Sequence, residues 1–219
     1  TNPMESGIEQ LLRYANRRTP HDDEGAEKLF HYNQMMVSTH RDKARVGTIS
    51  SRMEHYLEWK DPYPSTPQQV YADNQPNAIN DTVAVMDQVA ESSSNYQANS
   101  ELTPDSQQVL IAGLFSKANF LDMVQNFTVF EPTDGRVVKK IARYQQFRAV
   151  HKTIVRIKSG KTRKERGGVI WHTQGSGKSL TMVFLTVKMR RDAELSQYKL
   201  VFITDRTQLD DQITATFAR

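Results

Sequence analysis

The sequence predicts an α/β fold with parallel strands in its C-terminal part, and three features carry that prediction. Val169-Ile170-Trp171 and Leu200-Val201-Phe202-Ile203 are short apolar runs of the kind that form buried strands. Leu180 to Arg191, between them, has a helical composition. Strand, helix and strand fit within about thirty-five residues, the span of one βαβ unit. The chain has 219 residues, enough to bury roughly seventy per cent of its unfolded surface.

Taken in order, Ile8, Leu11, Leu12 and Ala15 have helical spacing, so Ile8 to Asn16 is expected to be a helix. Leu29-Phe30-His31-Tyr32 followed by Met35-Met36-Val37 reads as a strand. Arg17 to Gly25 is a polar loop, and Gly47 and Asp61 to Pro67 mark further breaks. Asp87 to Ser100 is serine-rich and reads as a mobile connection, whereas Ser106 to Phe130 is richer in apolar residues. Thr103-Pro104-Asp105 has the form of a helix start. From Arg143 the pattern is firmer. Phe147, Val150, Ile154 and Ile157 fall on one helical face, with Arg143, Arg148, Lys152 and Arg156 on the others. A charged loop, Lys158 to Arg166, and Gly167-Gly168 then lead into the first apolar run.

Charge is unevenly spread. The net charge is +4, but Arg136 to Arg166 holds twelve basic residues and one acid, Glu165, for +11, leaving −7 for the rest. Asp61 to Asp134 is the reverse, with ten acids and one base, Lys117. A basic block of this kind can displace counterions from a phosphate backbone, the sequence-independent part of nucleic-acid binding. The chain has no cysteine, which excludes a disulfide framework, a thiolate zinc site and a cysteine nucleophile. The six histidines show no metal-ligand spacing with carboxylates, and no Ser, His and Asp arrangement marks a hydrolase. No window approaches eighteen apolar residues and Thr1 to Glu5 lacks signal-peptide character, so a cytoplasmic location is expected.

The chemistry lies between the first apolar run and its helix, at His172-Thr173-Gln174-Gly175-Ser176-Gly177-Lys178-Ser179. A polyphosphate needs a turn whose backbone N–H groups converge, which a Cβ obstructs; glycine at 175 and 177 meets that need. The helix that follows adds unpaired N–H groups and a positive dipole end. Lys178 can act on the β and γ oxygens as a point charge, and the Ser179 hydroxyl can ligate Mg²⁺. The full eight-residue pattern has glycine where His172 stands, so what remains is G-x-G-K-S on a strand–loop–helix. His172 is assigned no role.

The run Gly168 to Met182 resembles the first motor motif of the restriction subunit of type I restriction-modification enzymes, which are superfamily 2 DNA translocases. That family tolerates a non-glycine residue at the His172 position. Ile203 to Gln212 resembles its motif on the next strand, which implies that Asp205 and Arg206 lie near the tracked DNA. Arg143-Tyr144-Gln145-Gln146-Phe147-Arg148-Ala149 resembles the glutamine motif, R-x-x-Q-x-x-A, which implies that Gln146 reads adenine; Gln145 is the competitor. Gln10-Leu11-Leu12-Arg13-Tyr14, with Leu29 to Gln34 and Ala44 to Thr48, resembles the stretch after the catalytic carboxylates of the type I nuclease domain, where a Q-x-x-x-Y element supports cleavage.

The resemblance implies residues 1–125 as the C-terminal portion of a restriction-endonuclease-like nuclease domain plus a connecting region. It implies residues 126–219 as the start of a RecA-like motor domain. The nucleotide ligands would be Gln146, Thr173, Gln174, Gly175, Ser176, Gly177, Lys178 and Ser179, the cofactors ATP and Mg²⁺, and the partners double-stranded DNA with methylation and specificity subunits. The family's metal-binding aspartate and Glu-x-Lys pair are expected upstream of Thr1. Its later carboxylate motif and second-lobe arginine are not present, so the fragment alone is expected to bind nucleotide weakly at most. The other readings are a superfamily 2 helicase without nuclease, a small-molecule kinase using the same loop, and a nucleic-acid adaptor with a dead loop.

Overall fold

A computed structural model of the chain describes residues 2–15, 25–74, 103–133 and 136–203. The first helix, α1 (Pro3–Tyr14), starts at Asn2, whose side chain accepts from the Met4 N–H, with proline in the first turn. Its buried Met4 and Ile8 meet Met36, Ile49 and Tyr56 in a small apolar cluster. Strands β1 (Met36–His40) and β2 (Lys43–Gly47) pair antiparallel, Met36 opposite Gly47 and His40 opposite Lys43. The turn between them places Arg41 at φ +53°. The strand expected from Leu29 is instead a 3₁₀ turn over Glu27–Phe30, with pairing delayed to Met36.

Proline opens α2 (Pro67–Asp73) behind a Thr66 and Gln69 capping box. Asp105 caps α3 (Ser106–Gly113), so Pro104 stands before the helix rather than in its first turn, and Gln108 returns the second bond of a capping box. Helix α4 (Lys117–Asn126) leads into an antiparallel hairpin of β3 (Thr128–Thr133) and β4 (Arg136–Ile141). Helix α5 (Tyr144–Ser159) buries Phe147, Val150 and Ile154, as their spacing predicts, while Ile157 is half-buried. The expected charged loop contains a short helix, α6 (Arg163–Arg166), because the Thr162 hydroxyl accepts the Glu165 N–H. The last helix is α7 (Lys178–Arg191).

One apolar cluster joins Ala44, Val46 and Trp59 to Phe127, Phe147, Val150, Ile154 and Phe184, so side chains from both sides of residues 125–126 share it. Trp59 packs edge-on against Phe147, with ring centroids 5.7 Å apart, and its Nε1 donates to the Asp61 carbonyl at 2.7 Å. A polar knot sits beside this core. The Asp122 carboxylate accepts from Lys188 Nζ at 2.6 and 2.7 Å and from Asn126 Nδ2 at 2.6 Å. His151 Nε2 lies 2.8 Å away, off the line of a ring N–H bond. Helices α4, α5 and α7 are therefore tied at one carboxylate.

The parallel sheet is not found among the described residues, whose strands form two antiparallel pairs. Neither of the two runs expected as its buried strands forms a strand among the described residues. Val169 is 90% exposed, Trp171 88% and Ile203 92%. The physical reason is that such a strand is buried by neighbours on both sides and a layer on each face, and no described strand lies alongside either run.

Candidate phosphate-binding site

The loop from His172 to Gly177 connects the exposed apolar run to α7, and its backbone explains its glycines. Gly175 has φ +76° and Gly177 φ +79°, the left-handed region that a Cβ disfavours. Nothing lies within 4 Å of the Cβ position at Gly175, so that face of the loop is open. At Gly177 a Cβ would meet Gln146 Nε2 at 2.6 Å. Gly177 is the N-cap of the fourteen-residue α7, and no side chain caps that end. An uncapped helix start beside two left-handed glycines is an anion cradle by its geometry.

Lys178 is exposed, and its ammonium donates to the carbonyls of His172 and Thr173 at 3.1 and 3.0 Å, which leaves one of three donors unengaged. The Thr173 carbonyl also accepts the Ser176 N–H at 3.3 Å, closing the turn. Ser179 is half-buried in the first turn of α7; Thr173, Gln174 and Gly175 are exposed. Ser176 is buried, and its hydroxyl has no hydrogen-bond partner.

Gln146 meets the loop from α5. Its Nε2 donates to the Gly177 carbonyl at 3.0 Å and reaches the Ser176 carbonyl at 3.4 Å, while its Oε1 accepts the Arg143 N–H at 2.8 Å. At 2% exposure it braces the loop from beneath, and contact with a base would require it to release those bonds. Gln145 is placed differently. Among the described residues its Oε1 is buried without a partner, as is His172 Nδ1, and both residues line a cleft of about 600 Å³ with Tyr144, Arg148 and Asp61.

The segment from Trp59 to Tyr63 forms the outer support of α5. Arg148 stacks on Tyr63, with its guanidinium carbon 3.9 Å from the ring centre, and pairs with Asp61 at 3.4 Å. Sequence reasoning missed this support; its only signal was the cluster of aromatic and proline residues in a stretch read as a break. At the other end of the chain, Gln10 Nε2 donates to the Tyr14 hydroxyl at 2.6 Å on the exposed side of α1, bringing those two predicted residues together. Asp205 and Arg206 lie outside the described residues. Among the described residues no group of three or more His, Asp or Glu is placed to hold a metal ion, and no helix is long and apolar enough to cross a membrane.

A glycine-bearing loop at the start of a helix, braced by a glutamine from a preceding helix, has the geometry of a phosphate-binding turn. Residues 145–219 match the SWI2/SNF2 ATPase family. The whole chain is 31% identical over 220 residues to the type I restriction enzyme HindI endonuclease subunit of Haemophilus influenzae, covering 99% of this chain and 18% of that protein. A candidate type I restriction enzyme MjaIXP endonuclease subunit of Methanocaldococcus jannaschii is 29% identical over 196 residues, 87% of this chain and 17% of the relative. The chain is thus similar along nearly its whole length to part of a type I restriction enzyme endonuclease subunit, and its residues 145–219 are similar to the SWI2/SNF2 ATPase family. It spans less than one fifth of the length of these two relatives. No solved structure matches it.

Proposed function

We propose that the chain joins the end of a nuclease domain, near residue 125, to the beginning of a RecA-like motor domain. In the intact protein that motor hydrolyses ATP to move along double-stranded DNA, which the same polypeptide cleaves in concert with methylation and specificity subunits. The observation that carries the proposal is the loop itself: two left-handed glycines, an open face at Gly175 and an uncapped α7. These residues fit a triphosphate. Main-chain N–H groups from Gly175 to Ser179 would hold the phosphates, Lys178 would neutralise them and Ser179 would ligate Mg²⁺. ATP supplies the phosphoanhydride whose hydrolysis drives movement.

In this reading Gln146 positions the loop, and Gln145, with its unpartnered carbonyl, accepts from an amino group of the base. The runs at Val169 to Trp171 and Leu200 to Ile203, exposed except at Leu200, are the strands a parallel motor sheet would take up. Gln10 and Tyr14 support the nuclease site as a bonded pair, and Asp205 and Arg206 contact the tracked DNA. The test is Lys178→Ala in the intact protein. ATP hydrolysis and translocation should be lost while DNA binding persists. Translocation at the normal rate would refute the assignment.

A further inference from the structure

The basic block divides in the structure into neutralised and free charges. Lys140 pairs with Glu131, Arg148 with Asp61, and Lys158 with Asp192 at 2.7 Å and Glu194 at 3.2 Å; Lys139 is buried among neutral acceptors. Lys152, Arg156, Lys161, Arg163, Lys164 and Arg166 are exposed and, among the described residues, pair with no carboxylate. They occupy the last two turns of α5, the bend at Gly160 and α6. The single acid there, Glu165, turns inward to accept the Lys161 backbone N–H at 2.7 Å, which also depresses its pKa.

Two of these cations are fixed in place. Arg156 Nε bonds the Gly167 carbonyl and Arg166 Nε bonds the Gly160 carbonyl at 2.8 Å, so both forks are held by the main chain. A planar guanidinium held this way suits a phosphodiester oxygen better than a mobile ammonium does. Lys152 and Arg156 lie one turn apart, about 6 Å along the helix axis, and with Arg166 they rim the cleft beside His172. Lys161, Arg163 and Lys164 add exposed charge on the connection and α6 next to that rim, and a set of cations spread over two helices and the bend between them suits a polyanion with several phosphates.

We propose that the ridge from Lys152 to Arg166 is a contact track for the phosphate backbone of duplex DNA, adjoining the cleft at Gln145 but distinct from the phosphate cradle at Gly175 to Ser179. It rests on the reading that the intact protein works on DNA. From Lys152 to Arg156 and across the Gly160 bend to α6, it spans about two to four phosphates of one strand at 3.4 Å per residue of that strand. Contacts of this kind carry no base information; they hold the motor on the duplex and set its salt dependence.

The test is fluorescence anisotropy with the full-length protein and a 30-base-pair duplex, about three helical turns, between 50 and 200 mM salt. The variant Lys161→Gln with Arg163→Gln and Lys164→Gln removes three charges that lie outside the cleft lined by Gln145 and make no side-chain hydrogen bond within the described residues. The slope of log affinity against log salt should flatten by about two to three, with DNA-independent ATP hydrolysis unchanged. The charge-preserving set, Lys161→Arg with Arg163→Lys and Lys164→Arg, should keep the wild-type slope. An unchanged slope in the neutral variant overturns the track while leaving the motor reading intact. A raised KM for Mg-ATP with unchanged DNA binding would assign the ridge to nucleotide and overturn it too. If the wild-type protein shows neither duplex binding nor DNA-stimulated hydrolysis, the motor reading fails, and the track with it.

Discussion

Gly177→Ala and Gly175→Ala form a matched pair that separates backbone strain from side-chain crowding. Both residues sit near φ +77°, so each alanine incurs about 1–2 kcal/mol for the left-handed conformation. Gly175 adds nothing further, since its Cβ would meet open space. At Gly177 the new Cβ would lie 2.6 Å from Gln146 Nε2, and that amide must withdraw from the Gly177 carbonyl it now bonds at 3.0 Å. Losing that buried bond costs about a further 1 kcal/mol, for a total of about 2–3 kcal/mol against 1–2 for Gly175→Ala.

Hydrogen exchange reads this directly. The Thr181 N–H bonds the Gly177 carbonyl at 3.0 Å, so its protection reports opening of the first turn of α7. Gly177→Ala should lower that protection about fivefold more than Gly175→Ala, the equivalent of 1 kcal/mol. Adding Gln146→Ala removes the obstructing amide, so the double variant should lose less than the sum of the singles by about 1 kcal/mol. Equal losses for the two glycines, or strict additivity with Gln146→Ala, would refute the claim that Gln146 braces the loop.

Asp122 makes a second prediction. Burial raises its pKa, but the His151 ring close beside it, hydrogen bonds from Lys188 and Asn126 and the charge of Lys188 outweigh burial and bring it to about 2. A lowered carboxyl pKa stabilises the fold above the unfolded value near 3.8, and the benefit is lost as pH falls toward 2. At full strength that is about 2.5 kcal/mol, and solvent screening reduces it to about 1–2. In urea unfolding, Asp122→Asn should therefore destabilise at pH 7 by that amount and flatten the stability profile between pH 4 and 2; an unchanged profile would contradict the knot. The paired glutamines give a third. Gln146→Ala should weaken ATP and GTP alike through the loop, whereas Gln145→Ala should mainly erode the preference between them. A base-selective effect at Gln146 and none at Gln145 would place adenine reading on Gln146.

Much of the site was legible because its chemistry is local. The left-handed angles at Gly175 and Gly177 follow from residue type, and the Phe147, Val150 and Ile154 face of α5 follows from spacing. Elements defined by distant partners were not legible. Nothing within Leu29 to Val37 says that pairing begins only at Met36, since β1 is fixed by β2 and by α1 beneath it. The β3–β4 hairpin had a usable signal in Asp134-Gly135 between two apolar-rich runs, a favoured hairpin pair. Val169 to Trp171 was read as buried from its composition, but burial is a property of neighbours. The brace from Gln146 to the loop spans thirty-one residues, and no sequence pattern distinguishes it from a ligand contact.

The most direct measurement is a structure of the full-length protein with Mg²⁺ and a non-hydrolysable ATP analogue. The account predicts the β- and γ-phosphates within hydrogen-bond distance of the main-chain N–H groups between Gly175 and Ser179, with Lys178 Nζ turned from the His172 carbonyl to a phosphate oxygen. An analogue bound elsewhere, with Lys178 still on the His172 and Thr173 carbonyls, would contradict it.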